Sequence, residues 1–495
     1  MNLASIIDGH PDGDAALITA TGEVTTYGEL RRAAAAWHQR LVERGVGPGD
    51  RVALLSANHP AFVVGYLAAL RAGAITVPLN IASPTAEVAR QLATVDVKAL
   101  LAGPGASAVA ASLGVAVISL NDGRVDDSEE GKDAPPPPVE RDPSDVAALL
   151  FTAGTSGSPR AAMLTHANLL ANLEQFQRHP GRALDAHDRA LAVLPLSHIF
   201  GLNTVLGGAL FIGAAVVLLD HFDPVATLDA IARHRVTIVV GAPTMFAALT
   251  AAGAQVEGQP LANARLAFSG AAPLSTEVAN AWQRRFGLPL RQGYGLTEAS
   301  PVVTAALVEG PSRPTSIGIP IPGVTVRLVD DDGDEALAGD PGEIWVKGTN
   351  VFPGYWNDPA ATEIALTPDG WLRTGDIAVM GDDGELAIVD RAKDLVIVSG
   401  FNVYPAEVEE VLADHPGVSD VAVVGDEDRY RGESVHAYVV LTGADAASQA
   451  ELKAWCRARL APYKCPSKFT FVAALPHGLA GKLLRRSLRS AAAAG

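Results

Sequence analysis

The sequence predicts an α/β protein with a large N-terminal domain and a small α+β C-terminal domain. Apolar strand-like runs alternate with helical segments from the N-terminus to about Ser269, which is typical of helices layered on a mostly parallel sheet. After about Ile317, short β-rich runs separated by Asp/Gly turns indicate a β-rich subdomain. From about Glu407 the pattern changes to a compact mixture of helices and strands. A chain of 495 residues is also too long for a single hydrophobic core.

The N-terminal part supplies most of the predicted elements. Helices are predicted from Tyr27 to Arg44 and from Ala61 to Arg71, and a further helical pattern begins at about His166. Strands are predicted at 51–55, 75–79, 146–151, 216–219, 237–240 and 266–269. In the β-rich part, strands are predicted at 324–329 and 343–346. The C-terminal pattern predicts a helix at 406–414, strands at 420–425 and 435–441, and a helix at 447–460.

Composition excludes several classes of protein. The net charge of −17 argues against nucleic acid as a partner. The N-terminus carries Asp8 and Asp12 instead of a basic region, so it does not predict a signal peptide. The longest apolar run, Val205 to Leu219, is too short for a transmembrane segment. Cys456 and Cys465 are too few for a disulfide framework or a zinc site. We therefore expect a cytoplasmic protein.

A segment rich in glycine and hydroxyl side chains follows the strand predicted at 146–151. It reads Thr152-Ala153-Gly154-Thr155-Ser156-Gly157-Ser158-Pro159-Arg160. Glycine allows positive φ and close backbone approach, so successive N–H groups can surround an anion while the hydroxyls add further donors. The segment predicts a phosphate-binding loop between a strand and a helix. It is not a Walker loop, because no Gly-Lys-Ser/Thr closes it.

Further segments have matching chemistry. Ser269-Gly270-Ala271-Ala272-Pro273 follows a predicted strand, where open α/β sheets bind ligands. Gly293-Tyr294-Gly295-Leu296-Thr297-Glu298 offers a flat ring for adenine, a hydroxyl for a phosphate and a carboxylate for Mg²⁺. Thr374-Gly375-Asp376 places an acid in a tight turn, suited to ribose hydroxyls. Residues 390–394 form a charge cluster, and Gly481-Lys482 lies in a Gly-rich loop.

The order and spacing of these segments resemble the adenylate-forming superfamily of acyl-CoA synthetases, nonribosomal-peptide adenylation domains and luciferases. The resemblance extends over nearly the whole chain. It implies an AMP-forming ligase that uses ATP, Mg²⁺ and CoA. Attack of a carboxylate on the α-phosphorus of ATP releases pyrophosphate and gives an acyl-adenylate with a good leaving group, and the acyl group then passes to the thiol of CoA. The implied domains are an AMP-binding domain at 1–391, a hinge at 392–394 and a mobile C-terminal domain at 395–495.

The resemblance also implies roles for individual residues. The phosphate-binding residues are Thr152, Gly154, Thr155, Ser156, Gly157 and Arg160. The adenine-binding residues are Gly270, Ala271, Ala272 and Tyr294, with Gly295 in the same motif. Thr297 contacts the α-phosphate, and Glu298 binds Mg²⁺. Asp376 and Arg391 hold the ribose. Lys482 stabilises the adenylation transition state, and Lys393 is the hinge about which the C-terminal domain rotates.

The phosphate loop departs from the family pattern Thr-Ser-Gly-Thr-Thr-Gly-x-Pro-Lys-Gly. Ala153 replaces a serine, Ser156 a threonine, Arg160 the lysine and Ala161 the glycine. The cation and most of the hydroxyls are retained, so we expect pyrophosphate binding to survive. The non-enzyme alternative is an inactive homologue that binds acyl groups or nucleotides.

The segment Leu194 to Gly201 resembles the family segment that borders the acyl pocket and the CoA tunnel, which implies a gate role for His198. The alternative is a histidine satisfied within the core. The run from Ile199 to Leu219 contains no acid, so it suits an apolar acyl chain and not a zwitterionic amino acid. We therefore predict a medium- or long-chain fatty acid as substrate, with aryl acids as the alternative.

The acceptor is predicted to be CoA. Ser399, Gly400 and Phe401 belong to a stretch that resembles the loop lining the pantetheine tunnel. Acyl-AMP ligases that serve carrier proteins are the alternative, but they bear an insertion near the hinge, and none is visible between Asp376 and Glu407.

Overall fold

The computed structural model describes most of the chain. The described residues are 1–120, 137–152, 160–181, 184–307, 315–330, 332–391, 394, 396–398, 401–428, 432–443, 446–460, 462–476, 483, 485 and 487–488. They form two compact units, of which the first comprises Met1–Val326 with Val346–Arg373 and the second Arg327–Trp345 with Thr374–Gly495. The hinge predicted at 392–394 stays a prediction.

The first unit contains a six-stranded sheet. Its strands are β3 Arg51–Leu55, β4 Ile75–Leu79, β5 Ala99–Ala102, β6 Val117–Ser119, β7 Val146–Thr152 and β8 Arg160–Thr165. They lie in the order β6-β5-β3-β4-β7-β8, with β7 and β8 antiparallel and the other pairs parallel. Every residue of β4 is buried, as expected for a strand covered on both faces.

A larger sheet in the first unit positions most of the predicted site. Its strands are β1 Ala15–Thr19, β2 Val24–Thr26, β9 Arg189–Ala192, β10 Ala215–Leu218, β11 Ile238–Gly241, β12 Leu266–Ser269, β13 Leu290–Gly295, β14 Val302–Ala305 and β15 Ser316–Pro320. They lie in the order β15-β14-β13-β12-β11-β9-β10-β1-β2. The pairs from β1 through β10, β9, β11 and β12 to β13 are parallel. The carboxyl ends of β11, β12 and β13 therefore meet at one edge, where open α/β sheets bind ligands.

Helices cover these sheets. They are α1 Tyr27–Glu43, α2 Pro60–Arg71, α3 Thr85–Thr94, α4 Ser107–Ala110, α5 His166–Gln177, α6 Gly208–Ile212, α7 Pro224–Arg233, α8 Pro243–Ala252, α9 Thr276–Phe286 and α10 Pro359–Ala365. Short 3₁₀ helices are Leu3–Ile7, Gly253–Gln255 and Thr297–Ala299, and a π-helix spans Phe200–Gly207. α1 begins with a capping box, in which Thr26 and Glu29 each satisfy the other's backbone N–H. The core between α8 and α9 is aromatic, since Phe246 meets Trp282 edge-on at 4.9 Å.

The predicted α/β fold class is confirmed. Each strand predicted before Ser269 begins and ends within one residue of its observed bounds. The prediction that the phosphate loop joins a strand to a helix is wrong. The loop joins β7 to β8, and only then does α5 begin. The sequence Arg-Ala-Ala-Met-Leu-Thr has ordinary helix formers, but pairing with β7 overrides that weak local preference.

The second unit is built on two sheets. The first has the order β16-β17-β18-β19 and consists of β16 Val324–Val329, β17 Gly342–Gly348, β18 Leu372–Met380 and β19 Leu386–Arg391, three of which extend beyond the residues assigned to this unit. The second comprises β20 Val396–Val398, β21 Phe401–Val403, β22 Val418–Asp428, β23 Gly432–Leu441 and β24 Lys468–Phe471, covered by α11 Pro405–Ala413 and α12 Gln449–Arg457. The predicted β-rich and α+β parts are both present. Among the described residues, no helix has the length and apolarity needed to cross a membrane.

A buried histidine makes the stability of the first unit depend on pH. The His166 side chain is fully buried, and its Nδ1 accepts a hydrogen bond from the Leu3 N–H at 3.0 Å. Burial, aided by the charge of Arg141, lowers the pKa of His166 from 6.5 to about 4. The unfolded chain therefore binds more protons between these values, so stability is full above pH 6.5 and is lost as the pH falls towards 4.

We expect this histidine to contribute up to about 3 kcal/mol to that pH dependence. Urea unfolding at pH 7.5 and pH 5 should show a smaller difference for His166→Gln than for the wild type, because glutamine cannot titrate but can accept from Leu3. Equal pH dependence in both proteins would contradict the assignment.

Candidate active site

The two ends of the predicted phosphate loop are held together. Thr152 ends β7, Arg160 begins β8, and the two residues are partners in the antiparallel register. Gly154, Thr155, Ser156 and Gly157 lie outside the described residues. The hairpin thus fixes the exit of the loop at Arg160, whose side chain is described.

Arg160 belongs to a cluster with Tyr355 and Asp358. Its Nε lies 3.2 Å from Asp358 Oδ2, and its guanidinium carbon lies 5.8 Å from the centre of the Tyr355 ring. Asp358 also caps α10 by accepting from the Ala361 N–H. Backbone hydrogen bonds connect the segment to β8, from the Met163 N–H to the Gly354 oxygen. The cation of the predicted phosphate loop is therefore oriented by an acid and a ring that sequence reasoning did not select.

Glu298 joins the same cluster. The Tyr355 hydroxyl donates to Glu298 Oε1 over 2.7 Å. The backbone makes a separate connection, in which the Phe352 N–H donates to the backbone carbonyl oxygen of Glu298 at 2.9 Å. Burial and the nearby Glu298 carboxylate raise the pKa of Tyr355 above its usual value, so the hydroxyl stays protonated at working pH and remains a donor.

Close backbone contacts shape the Gly-Tyr-Gly segment. A Cβ added to Gly295 would lie 2.2 Å from the Pro301 oxygen, and one added to Gly293 would lie 2.3 Å from Cζ of Phe268. Neither position can accept a side chain without moving its neighbours. The segment then turns into the 3₁₀ helix Thr297–Ala299, whose first two residues are Thr297 and Glu298. The Tyr294 side chain is largely buried, with 9% exposed.

Gly270, Ala271 and Ala272 follow β12 at the edge of the large sheet. The Gly270 N–H donates to the Gly241 oxygen at 3.2 Å, and Ala271 adopts a φ of +68°. A Cβ on Gly270 would lie 2.9 Å from Cζ of Phe200. This close approach brings the predicted adenine segment into contact with the predicted acyl segment.

His198 lies at the surface immediately before the π-helix Phe200–Gly207. Its side chain is exposed, and its Nδ1 accepts from the Phe200 N–H at 3.2 Å. Its position therefore does not favour the alternative of a histidine satisfied in the core. π-helices are often found at functional sites.

One turn along the π-helix, Thr204 lines an apolar pocket. The pocket lies between this helix, α5 and one face of the large sheet, and its other lining residues include Phe176, Ala190, Val205, Val240 and Phe268. Thr204 is 6% exposed, and its hydroxyl has no hydrogen-bond partner among the described residues. A buried hydroxyl without a partner costs stability, so we expect a water or a ligand group to satisfy this one.

In the second unit, the two residues predicted to hold ribose are brought together. Asp376 on β18 and Arg391 on β19 are partners in the antiparallel register, although the side chain of Arg391 is outside the description. The Asp376 side chain is buried. The backbone N–H of Asp376 donates to Thr374 Oγ1 at 3.1 Å. Glu343, which sequence reasoning did not select, fixes the turn by accepting from the Gly375 N–H at 2.8 Å.

Of the remaining predicted residues, Lys393, Ser399, Gly400 and Lys482 lie outside the described residues. Phe401, at the start of β21, is described only as backbone.

Residues that follow Lys482 in the chain are held in place by contacts that the structure describes. Arg485 donates to both oxygens of Glu409, at 2.8 and 2.6 Å, and lies 3.8 Å from Asp394. Leu488 is buried in a small apolar cluster against which Leu483 packs.

The donor set fits a Mg²⁺ ion that arrives with ATP. Mg²⁺ usually keeps several waters and is held by one or two carboxylates together with substrate phosphates. The described residues contain no group of three or more acidic, histidine or cysteine side chains able to hold a metal alone. Glu298 provides a single carboxylate, one oxygen of which accepts from Tyr355, and the Arg160 guanidinium carbon lies 5.8 Å from the centre of that tyrosine's ring. Such a site suits a metal bound largely by nucleotide.

Comparison with known proteins agrees with this arrangement. Residues 4–356 match the model of the AMP-binding enzyme family, and residues 407–482 match that of the AMP-binding enzyme C-terminal domain. The chain belongs to the AMP-binding enzyme family. This confirms the resemblance to the adenylate-forming superfamily.

The relatives of this AMP-binding enzyme include CoA ligases. It is 39% identical over 470 residues to a feruloyl-CoA synthase of an Amycolatopsis species, with 94% of each chain covered. It is 40% identical over 345 residues to a long-chain-fatty-acid–CoA ligase of Bacillus subtilis, covering 70% of this chain and 61% of the relative. The crystal structure of ATP-bound MatB from Rhodopseudomonas palustris superposes with a TM-score of 0.89 at 33% identity, covering 99% of both chains. The enzyme is accordingly an AMP-forming acid–CoA ligase, for which ATP and CoA are fitting substrates.

Proposed function

We propose that this ligase activates an apolar acid with a polar group at its far end, and that an aryl acid of the hydroxycinnamate type is the first candidate. The observation that carries the proposal is the unpartnered Thr204 hydroxyl in an otherwise apolar pocket. Phe268 lines this pocket and lies about 7 Å along β12 from Gly270. An acid whose carboxylate lies near Gly270 would therefore direct its other end towards Thr204.

The proposed roles of the other residues rest on the family resemblance. The loop from Thr152 to Arg160 binds the phosphates of ATP, and Glu298 holds the Mg²⁺ that neutralises their charge. Thr297 contacts the α-phosphate. Together these residues align the acid carboxylate with the α-phosphorus while pyrophosphate leaves.

The remaining roles concern the nucleoside and the two half-reactions. Gly270, Ala271, Ala272, Tyr294 and Gly295 bind the adenine, and Asp376 and Arg391 hold the ribose. Lys482 acts in adenylation, Lys393 is the hinge, His198 gates the acyl site, and Ser399, Gly400 and Phe401 line the path of CoA.

A straight-chain fatty acid of medium or long chain is the second candidate. It is supported by the absence of acids between Ile199 and Leu219 and by the similarity to a fatty-acid ligase. The crowding of Phe200 against Gly270 argues for a compact acid instead. If a fatty acid is the substrate, each buried methylene should contribute about 0.8 kcal/mol, so two carbons change affinity roughly tenfold until the pocket is full.

A series of acids separates the candidates. We expect kcat/KM, followed by pyrophosphate release at fixed ATP and CoA, to be higher for 4-hydroxycinnamate than for octanoate, with amino acids inactive. A steady rise from acetate to octanoate that exceeds both cinnamate and 4-hydroxycinnamate would replace the aryl acid with the fatty acid.

Thr204→Val tests the polar end of the pocket, because valine keeps the shape and removes the hydroxyl. We expect kcat/KM for 4-hydroxycinnamate to fall about fivefold, the loss of one neutral hydrogen bond, while cinnamate is unaffected. The variant should be no less stable than the wild type, since that hydroxyl has no described partner. An equal effect on both acids would contradict the proposed contact.

A further inference from the structure

One side-chain oxygen of Glu298 accepts a hydrogen bond that membership of the family does not explain. Tyr355 lies 57 residues further along the chain, and its hydroxyl donates to Glu298 Oε1 over 2.7 Å. A short hydrogen bond to a carboxylate is a strong one. It restricts rotation of the carboxylate and so fixes the direction in which its second oxygen points.

Tyr355 is itself held from several sides. Its backbone N–H donates to Thr362 Oγ1 at 2.9 Å, and its ring meets Phe352 edge-on at 4.9 Å. The Arg160 guanidinium lies over its ring and is paired with Asp358. These contacts on several sides fix the position of the tyrosine hydroxyl. One of them is with Arg160, the cation of the predicted phosphate loop.

A purely structural role does not account for the contact. The segment that carries Tyr355 is already joined to the Glu298 region by backbone and amide hydrogen bonds, from the Phe352 N–H to the Glu298 oxygen at 2.9 Å and from Asn350 Nδ2 to the Ala299 oxygen at 2.8 Å. These bonds hold the two segments without the tyrosine hydroxyl. What the hydroxyl adds is the orientation of one carboxylate.

We propose that Tyr355 is a positioning residue that presents Glu298 to the metal ion carried by ATP, and that its ring links this carboxylate to Arg160 of the phosphate loop. The inference rests on the proposed role of Glu298. Groups that orient a metal ligand through a hydrogen bond typically change metal affinity 10- to 100-fold when removed. Tyr355 thereby contacts both Arg160 of the phosphate loop and the proposed metal ligand Glu298.

The test is Tyr355→Phe in the full-length enzyme, which removes only the hydroxyl. Binding of Mn²⁺ in the presence of ATP, measured by calorimetry or by the Mn²⁺ electron paramagnetic resonance signal, should weaken about tenfold. The Mg²⁺ concentration that gives half-maximal activity should rise similarly, excess Mg²⁺ should restore kcat, and KM for the acid should not change. A merely structural bond would not give this metal-specific rescue.

Two further variants keep the outcomes distinct. Tyr27→Phe removes another buried tyrosine hydroxyl, which donates to the Ala214 oxygen at 2.8 Å, and it should lower stability without altering Mn²⁺ binding. Glu298→Gln should weaken Mn²⁺·ATP binding at least as much as Tyr355→Phe. If Glu298→Gln weakens metal binding but Tyr355→Phe matches the wild type, the positioning role is wrong while the metal role stands. If Glu298→Gln binds Mn²⁺·ATP normally, both are wrong.

Discussion

Replacing Lys482 with alanine is expected to lower the rate of adenylation by about 100-fold or more, while thioester formation from supplied acyl-AMP is much less affected. Negative charge is concentrated on the phosphoryl oxygens during adenylation, and a preorganised ammonium group stabilises it. A hundredfold loss corresponds to about 2.7 kcal/mol of transition-state stabilisation. Pyrophosphate release measures the first half-reaction, and conversion of acyl-AMP with CoA measures the second.

The fold should tolerate this substitution. Leu483 packs against an apolar cluster, and Arg485 is paired with Glu409, so the chain beyond Lys482 has its own anchors. Lys468→Ala is the matched control, because Lys468 is a half-exposed lysine of the same unit that lies 3.7 Å from Asp426. It should leave both half-reactions unchanged. An equal loss in both half-reactions of Lys482→Ala would show that the lysine has no special role in adenylation.

The sequence predicted three strands of the large sheet, at 216–219, 237–240 and 266–269, because these are continuous apolar runs. β12 is an example, since Leu266–Ser269 was predicted with its observed bounds. Gly270 directly follows the carboxyl end of this strand. Such strands can be recognised from the sequence alone, because a strand covered on both faces is apolar along its whole length.

β8 could not be predicted in the same way. Its residues have no strand-like alternation, and they form a strand only because β7 lies beside them in the antiparallel register. The consequence is functional, since the hairpin fixes Thr152 opposite Arg160. Tertiary pairing, not local preference, sets the end of the predicted phosphate loop at Arg160.

Sequence reasoning selects site candidates that lie in local motifs and does not select residues that reach them from distant segments. Glu298 follows a recognisable Gly-Tyr-Gly run, but Tyr355 reaches it from 57 residues away, and no pattern in the sequence links them. Thr204 was hidden for the opposite reason. It lies within a long apolar run, and only its burial without a described partner distinguishes its hydroxyl.

The second large effect concerns Lys393, predicted to be the hinge between the half-reactions. Pyrophosphate must leave before a thiol can approach the adenylate, so the two steps require different surroundings for the same intermediate. Lys393→Pro fixes φ at residue 393 and biases Ala392 towards extended backbone, which should hinder rotation there. We expect adenylate to form at close to the normal rate while transfer to CoA fails.

Single-turnover measurements on this variant separate hindered rotation from the loss of a charge. Lys393→Ala removes the same ammonium group but leaves φ unrestricted, so it should transfer the acyl group at close to the wild-type rate. The substitution lies between two structured residues. β19 ends at Arg391, and the buried Asp394 has its Oδ2 3.8 Å from Nη1 of Arg485. If Lys393→Pro transfers as fast as the wild type, rotation does not occur at this residue. If Lys393→Ala fails equally, the charge and not the backbone is what the second half-reaction needs.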